Sequence, residues 1–267
     1  MNVNGKVFVV TGGGNGIGRE VVLLLLKKGA RVAAVDIKPE ALIETARLAG
    51  NPKEGLTTHI VNITDKTTVE GLPQAVIAAH GTVDGLVNVA GIIQKFVQFK
   101  DLDFTEIERV MNINFWGTLY MVKAFLPHLL QRPEASITNV SSMGGCLPVP
   151  GQTLYGASKA AVKLFTEGLN SELQGTPVHV TVVFPGAIGT NIAANSGVTN
   201  LGASAETSKI KMTSAVVAGA TIVDGIEKNA YRVLIGSDAK MMDFLYRLMP
   251  KKAAGIIYEQ MKSILPK

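Results

Sequence analysis

Short apolar runs rich in β-branched residues alternate along the chain with longer stretches whose apolar positions recur at helical spacing. The runs predict seven β-strands: Lys6–Thr11, Arg31–Asp36, Leu56–Asn62, Gly85–Asn88, Ser136–Val140, Val178–Phe184 and Arg232–Ile235. Several of them are apolar at both alternating positions, which is typical of parallel strands covered by helices on both faces. The pattern therefore predicts a buried parallel sheet between two helical layers.

The intervening stretches predict helices at Ile17–Lys28, Pro39–Ala49, Lys66–His80, Thr105–Leu130, Leu154–Leu173 and Ser208–Lys228. Gly29 follows Lys27 and Lys28 at the end of the first helix, where a left-handed residue and nearby cations are both favourable. Strands and helices that alternate with right-handed crossovers predict a Rossmann-type, doubly wound α/β fold of about seven strands. In such a sheet, ligands bind beyond the carboxyl ends of the strands.

Length and composition favour one domain over residues 1–267, because 47% hydrophobic and 18% charged residues supply ample core and no linker-like tract divides the chain. Within it we expect a covering segment at residues 191–213, which is rich in small residues, and a helical tail at residues 239–267.

Several classes of protein are disfavoured by the same composition. Met1–Lys6 leads directly into the first strand and leaves no room for a signal segment, and Cys146 has no second cysteine to pair with, so we expect a cytoplasmic protein. The net charge of +5 is dispersed, which argues against nucleic-acid binding. The four histidines lack metal-ligand spacing, and no apolar stretch reaches the length of a membrane span.

A glycine-rich run, Thr11–Gly18, joins the first predicted strand to the first predicted helix. Glycines let the chain turn tightly and let a pyrophosphate approach the backbone, while the free N–H groups of the new helix stabilise its charge. The GxGxxG register fails because Ile17 stands at its third glycine, and the run instead fits T-G-x-x-x-G-x-G. The run therefore predicts a dinucleotide site, and a turn without a ligand is the alternative.

Asp36 ends the second predicted strand, where its carboxylate is well placed to accept hydrogen bonds from ribose hydroxyls. A 2′-phosphate would meet that carboxylate as a like charge, and Asn15 rather than an arginine precedes Gly16 in the loop. NAD is therefore the favoured cofactor. NADP is the less favoured one, and it stays open because the positive charge of Lys38 is close by in the sequence. A role as a helix cap is the alternative for Asp36.

Tyr155 and Lys159 form a Y-x-x-x-K pair at the start of a predicted helix, and this spacing puts both side chains on one face. A free phenol has a pKa of about 10, and positive charge nearby favours the phenolate. We therefore expect Lys159 to lower the pKa of Tyr155 and make it a usable base. An ordinary exposed pair on a helix is the alternative.

Two further polar positions complete the candidate chemistry. Ser141 and Ser142 follow the fifth predicted strand, so that a hydroxyl lies at the same edge of the sheet as the glycine turn. Asn114 interrupts a long apolar helical pattern, where its amide needs partners. Either a buried structural hydrogen bond or a water relay explains it.

With these motifs and Asn88-Val89-Ala90-Gly91, which matches an N-x-A-G element, the chain resembles the short-chain dehydrogenase/reductase family along nearly its whole length. The resemblance assigns Asn114, Ser142, Tyr155 and Lys159 to the family's catalytic tetrad. Ser142 is preferred to Ser141 because the family's serine usually lies thirteen residues before the tyrosine, and Ser141 stays open.

The resemblance also implies a set of cofactor contacts. Asn62 stands at a position where many members of the family have an aspartate that contacts the adenine. Ile188 and Thr190 would hold the nicotinamide carboxamide. The whole predicted set is Gly12, Asn15, Gly16, Ile17, Gly18, Asp36, Ile37, Asn62, Ile63, Asn88, Ala90, Gly91, Tyr155, Lys159, Pro185, Gly186, Ile188 and Thr190.

The reaction implied is the interconversion of a secondary alcohol and a ketone with NAD. Tyr155 would move the hydroxyl proton, Ser142 orient the oxygen, Lys159 hold ribose and Asn114 position a water. The apolar tail offers a wall for a lipophilic small molecule such as a steroid, fatty or hydroxyacyl alcohol, and core packing or a subunit contact is an equally open use of the same residues. A catalytically silent NAD-binding regulatory protein is the alternative.

The resemblance further implies a homodimer or homotetramer through the helices predicted at Thr105–Leu130 and Leu154–Leu173. The tail combines apolar positions with lysines, so contact with a membrane surface is a second, not favoured use of the same residues.

Overall fold

The computed structural model describes residues 1–52, 54–198 and 212–262. Its strands are β1 (Val7–Thr11), β2 (Arg31–Asp36), β3 (Leu56–Ile60), β4 (Gly85–Asn88), β5 (Ala135–Val140), β6 (Val178–Pro185), β7 (Ile188–Gly189), β8 (Thr213–Ser214) and β9 (Arg232–Ile235). Seven of these form one sheet in the order β3-β2-β1-β4-β5-β6-β9, and every neighbouring pair is parallel. All the predicted strands belong to this sheet, and the predicted doubly wound α/β fold is confirmed.

The helices between the strands are α1 (Gly16–Lys27), α2 (Pro39–Leu48), α3 (Lys66–His80), α4 (Phe104–Met111), α5 (Gly117–Leu129), α6 (Thr153–Glu172), α7 (Ile192–Asn195), α8 (Ala215–Glu227), α9 (Ser237–Leu248) and α10 (Pro250–Met261). Gly29 has a φ of 81°, as expected of the left-handed residue that ends α1.

Alternate side chains of the central strand β1 pack into two hydrophobic cores, one on each face of the sheet. Phe8 and Val10 pack on the face covered by α1 and α8, whereas Val7 and Val9 pack on the face covered by α3, α5 and α6. Because both faces are covered, β1 is buried at every position, as the apolar runs predicted. The strand order changes direction between β1 and β4, and this switch point opens a crevice at the carboxyl ends of the strands.

Two predicted helices differ in the structure. The helix predicted at Thr105–Leu130 is divided into α4 and α5 by a π-helical turn at Asn112–Trp116, which an apolar pattern at helical spacing does not reveal. The helix predicted to begin at Ser208 begins instead at Ala215, and the preceding strand β8 pairs with β7. Residues 208–211 of that predicted helix lie outside the described residues.

The predicted covering segment and tail are described only in part. Residues 191–198 include α7, and residues 199–211 and 263–267 lie outside the described part of the chain. The tail forms α9 and α10, whose Ala239 and Ile257 pack with Phe184, Met143 and Leu147 in a third core. None of the described helices is long and apolar enough to cross a bilayer.

Candidate active site

A cleft lies at the switch point, and most of the predicted cofactor residues line it. The predicted residues in its wall are Gly12, Asn15, Gly16, Ile17, Gly18, Asp36, Ile37, Asn62, Ile63, Ala90, Gly91 and Thr190. They come from the carboxyl ends of β3, β2, β1 and β4, which are neighbours in the sheet, and from the segment after β6. The cleft therefore joins the glycine turn to the motifs found far along the chain.

The glycine turn packs its backbone closely against the neighbouring loop and against itself. Gly12 has a φ of 69°, and a Cβ there would lie 3.0 Å from the amide nitrogen of Ala90. A Cβ on Gly18 would clash with the carbonyl group of Gly12. Asn15 caps α1 by accepting a hydrogen bond from the N–H of Gly16. The glycines thus allow the tight turn that brings the start of α1 to the cleft, which fits a pyrophosphate bound at a helix N-terminus.

Asp36 connects the glycine turn to the end of β2. One carboxylate oxygen accepts from the N–H of Gly14 at 3.0 Å and the other from the N–H of Lys38 at 3.1 Å. A carboxylate offers about four acceptor positions, so these two bonds leave others for ribose hydroxyls. The Lys38 ammonium donates to the side-chain oxygen of Asn195 at 3.1 Å and so connects this end of the cleft to α7.

Asn62 lies in the cleft wall with one half of its amide already engaged. Its Oδ1 accepts from the N–H of Thr64 at 3.1 Å and from the Thr64 hydroxyl at 2.9 Å. The Nδ2 group is the half of the amide left to contact a base. Asn62 can therefore act as a donor, whereas the aspartate common in relatives can only accept.

Some predicted cofactor residues lie outside the cleft wall. Asn88 is buried at the end of β4, where its Nδ2 donates to the Oδ1 of Asn139 at 2.9 Å, and its side chain connects strands rather than facing the cleft. Pro185, Gly186 and Ile188 also stand outside the wall, directly before Thr190. In the structure they support the segment that carries Thr190 and are not themselves exposed to the cleft.

Lys159, in the first turns of α6, lies beside Gly91 of the cleft wall and is not itself part of that wall, and neither is Tyr155. Its side chain is 4% exposed, and its Nζ donates to the carbonyl oxygen of Val140 at 3.0 Å. A Cβ on Gly91 would lie 3.0 Å from this Nζ and 3.1 Å from the Oδ1 of Asn114. Burial away from water lowers the pKa of Lys159 to about 8.

Tyr155 lies one helical turn before Lys159 and packs beside Gly144. Burial raises the pKa of its phenol, and the nearby Ser142 hydroxyl opposes that rise. In the chain without ligands the loss of hydration dominates, so the lowering of this pKa by Lys159 with an oxidised nicotinamide nearby stays a prediction. In this state, Tyr155 is a neutral hydroxyl near neutral pH.

The two candidate serines have different surroundings. Ser141 is buried, and its hydroxyl donates to the carbonyl oxygen of Lys159 at 2.7 Å. Ser142 is partly exposed and accepts from the N–H of Gly144 at 3.0 Å. A Cβ on Gly144 would lie 3.3 Å from a ring carbon of Tyr155 and 3.5 Å from the Ser142 Oγ, so the two side chains are neighbours. Ser142 is therefore the serine that shares its surroundings with the phenol, whereas Ser141 supports the backbone of α6.

Asn114 lies in the π-helical turn and is fully buried. Its Oδ1 accepts from the N–H of Ile92 at 2.8 Å, and its Nδ2 donates to the Ile92 carbonyl and to the Ser158 hydroxyl, both at 2.9 Å. The Ser158 hydroxyl in turn donates to the carbonyl oxygen of Tyr155 at 2.7 Å. Both amide donors are thus engaged, so the buried structural hydrogen bond is the correct alternative for the side chain, and it cannot also donate to a water.

Two residues near this site were not found from the sequence. Gln94 is fully buried, and its Oε1 accepts from the N–H groups of Leu154 and Tyr155 at the start of α6. Asp238 accepts from the N–H of Ala187, just before Thr190. A glutamine directly after an apolar loop and an aspartate after Gly236-Ser237 are the only sequence signals, and neither indicates its distant partner.

Comparisons with known proteins agree with this geometry. The model of the family described as short chain dehydrogenase matches residues 6–200. A putative oxidoreductase, SadH, from Mycobacterium tuberculosis is 38% identical over 253 residues, which cover 92% of this chain and 91% of that protein. The 3-oxoacyl-[acyl-carrier-protein] reductase FabG of Thermotoga maritima is 35% identical over 192 residues, 71% of this chain and 77% of that protein.

Solved structures show the same architecture. A short-chain dehydrogenase/reductase from Burkholderia phymatum in complex with NAD has a TM-score of 0.84 and 22% identity over 94% of this chain and 96% of its own. A short chain dehydrogenase from Burkholderia cenocepacia in complex with NADP has a TM-score of 0.81 and 25% identity, over 96% and 99% of the two chains. Proteins of this fold therefore bind either nicotinamide cofactor.

Proposed function

Because the chain belongs to the short-chain dehydrogenase family of oxidoreductases, we propose that it interconverts a secondary alcohol and a ketone with NAD as the hydride carrier. The observation that supports this most directly is that Lys159 and Asn114 meet at Gly91 in the cleft wall, while Tyr155 and Ser142 meet at Gly144. An acid–base hydroxyl beside a dinucleotide cleft is what this chemistry requires.

The glycine turn would hold the pyrophosphate, Asp36 and Asn62 the adenosine half, and Thr190 the nicotinamide half. When bound, the nicotinamide accepts or donates the hydride. The Tyr155 hydroxyl gives its proton to the oxygen of a ketone as that oxygen becomes an alcohol, and takes the proton back in the reverse direction. Ser142 orients the same oxygen by hydrogen bonding.

Lys159 contributes positive charge and a donor beside Gly91 of the cleft wall. Since its pKa of about 8 keeps most of the side chain protonated at pH 7, it stabilises the phenolate that remains after Tyr155 has lost its proton. Asn114 contributes by holding α6 through Ser158. Any water that carries the proton onward would have to use the backbone of the π-helical turn rather than this amide.

The preference for NAD rests on Asp36. Its carboxylate would repel a 2′-phosphate, and the Lys38 ammonium, which could attract one, is engaged with Asn195. Relatives of the same fold carry NAD or NADP, so this residue-level argument decides our preference.

A lipophilic substrate is proposed from the tail. The third hydrophobic core joins α9 and α10 to Met143 and Leu147, which lie one and five residues after Ser142. The tail thus borders the loop that would face the substrate, and the relative named as a 3-oxoacyl reductase is consistent with a fatty or hydroxyacyl alcohol. The proposed substrates also include steroid alcohols.

Self-association is also proposed. Large apolar side chains on α4, the π-helical turn and α6 are exposed, among them Phe104 at 81% and Leu164 at 68%. These helices would form the contact of a homodimer or homotetramer. Helix α9 also exposes the large apolar side chains of Met241, Phe244 and Leu248. Contact of these side chains with a membrane surface is the alternative, which we do not favour.

The test is a panel of aliphatic, steroidal and hydroxyacyl secondary alcohols, offered with NAD and in parallel with NADP, with formation of the reduced cofactor as the readout. We expect turnover with at least one lipophilic class, and faster turnover with NAD. Tight binding of NAD without turnover of any class would instead support the catalytically silent regulatory alternative.

A further inference from the structure

Asp238, in the first turn of α9, lies against two glycines that belong to different strand ends. A Cβ on Gly186 or on Gly236 would clash with its carboxylate, so the side chain fills space that only glycines leave open. Its Oδ2 accepts from the N–H of Ala187 at 2.8 Å. The carboxylate therefore contacts the segment after β6 through packing and through a charged hydrogen bond.

The Ala187 peptide is held from its other side as well. Its carbonyl oxygen accepts from the N–H of Thr213 at 2.8 Å, next to the pairing of β7 with β8. Three residues after Ala187 the chain reaches Thr190, which lines the cleft beside Gly16. The position of Thr190 is thus set by a peptide clamped between α9 and β8.

We infer that Asp238 is a positioning residue for the nicotinamide half of the cofactor. It fixes the Ala187 backbone so that Thr190, which lines the cleft, presents its polar groups to the carboxamide. This inference rests on the proposed function, which assigns the nicotinamide to that end of the cleft. It makes the first turn of α9 part of the support of the cofactor site, although Asp238 itself does not line the cleft.

A purely structural carboxylate would give different behaviour. Were Asp238 only a support for α9, its loss would lower the stability of the chain and weaken every cleft ligand alike. A positioning role concerns only the nicotinamide end of the cleft. Loss of Asp238 would then weaken the binding of NAD and leave the affinity for ADP-ribose unchanged, because ADP-ribose has the same adenosine and pyrophosphate but no nicotinamide. The ratio of the two affinities separates these roles.

The experiment measures the dissociation constants of NAD and ADP-ribose by calorimetry for the unaltered chain, Asp238→Ala and Asp238→Asn. We expect Asp238→Ala to weaken NAD about tenfold or more, as the loss of a charged hydrogen bond predicts, with the ADP-ribose affinity unchanged. Asp238→Asn keeps an acceptor oxygen without the charge, so its affinity for NAD should lie between those of the unaltered chain and of Asp238→Ala. If Asp238→Ala does not fold, Asp238→Asn alone carries the test.

Asp243→Asn is the matched control, because Asp243 lies on the same helix but pairs with Arg232 and Arg247. It should lower the unfolding temperature without changing the affinity ratio. Equal weakening of both ligands by Asp238→Ala, or no weakening of either, would overturn the inference. Absence of NAD binding to the unaltered chain would instead contradict the proposed function, so the two failures are distinguishable.

Discussion

Lys159 and Tyr155 both lie away from bulk water, and their pKa values move in opposite directions for the same reason. Burial disfavours the charged form, which lowers the pKa of the ammonium and raises that of the phenol. The sequence spacing correctly put the two side chains on one helix face. It could not predict these directions, because burial is set by Gly91, Val140 and other residues distant in the chain.

Replacement of Lys159 tests this account of burial. The pKa of Lys159 is about 8 in the folded chain against 10.5 ordinarily, so the unfolded chain binds more protons between these pH values. The cost of burying the charge is therefore fully present below about pH 8 and disappears as the pH rises past 10.5. We expect Lys159→Met to raise the free energy of unfolding at pH 7 by about 2 kcal/mol after the lost hydrogen bond is deducted.

Urea denaturation of both chains at several pH values measures this gain, with Lys123→Met, at an exposed position of α5, as the control. The gain should shrink as the pH rises through this range, while the control difference stays flat. A gain that is absent at pH 7, or that does not depend on pH, would contradict the argument.

At the scale of elements, the β-strands and the helices of the sheet were predictable because each carries its own periodic pattern. The π-helical turn was not, since its extra residue leaves the apolar spacing of α4 and α5 almost unchanged. Neither α7 nor the β7–β8 pair has a pattern long enough to detect. The start of α6 is likewise decided elsewhere, by Gln94, which caps it from the loop after β4.

We expect Gln94→Leu to lower kcat about tenfold or more, since small displacements of a catalytic group have effects of this size or larger. NAD affinity should stay unchanged, because Gln94 does not line the cleft. Gln94→Glu keeps the acceptor but loses the Nε2 donor to the Gly151 carbonyl oxygen at 3.0 Å, so it should restore only part of kcat, with a shifted pH profile because its charge lies close to Tyr155.

The matched control is Asp65→Ala, which removes acceptors from two N–H groups at the start of α3, a helix without catalytic residues. It should lower the stability of the chain, as the loss of a helix cap does, and leave kcat intact. Steady-state kinetics with saturating cofactor provide the comparison. An equal loss of kcat in both variants would show that Gln94 acts only through stability.

At the scale of the whole molecule, the candidate site is assembled from segments that are distant in sequence and adjacent at the switch point. The loop after β4, the π-helical turn, the loop after β5 and α6 meet at Gly91 and Tyr155. The doubly wound order predicted this meeting point, because motifs that follow parallel strands share one edge of the sheet. The side-chain partners were not predictable, since Asp238 and Gln94 act across that edge on backbone groups.

The most direct test of the account compares turnover and cofactor binding in Tyr155→Phe, with Tyr120→Phe on α5 as the control. Removal of the hydroxyl should lower turnover of the best alcohol by about 100-fold or more while the NAD dissociation constant stays unchanged, because the phenol moves a proton and does not hold the dinucleotide in place. Tyr120→Phe should match the unaltered chain. A Tyr155→Phe chain that keeps most of its turnover would contradict the proposal that this phenol is the acid–base group.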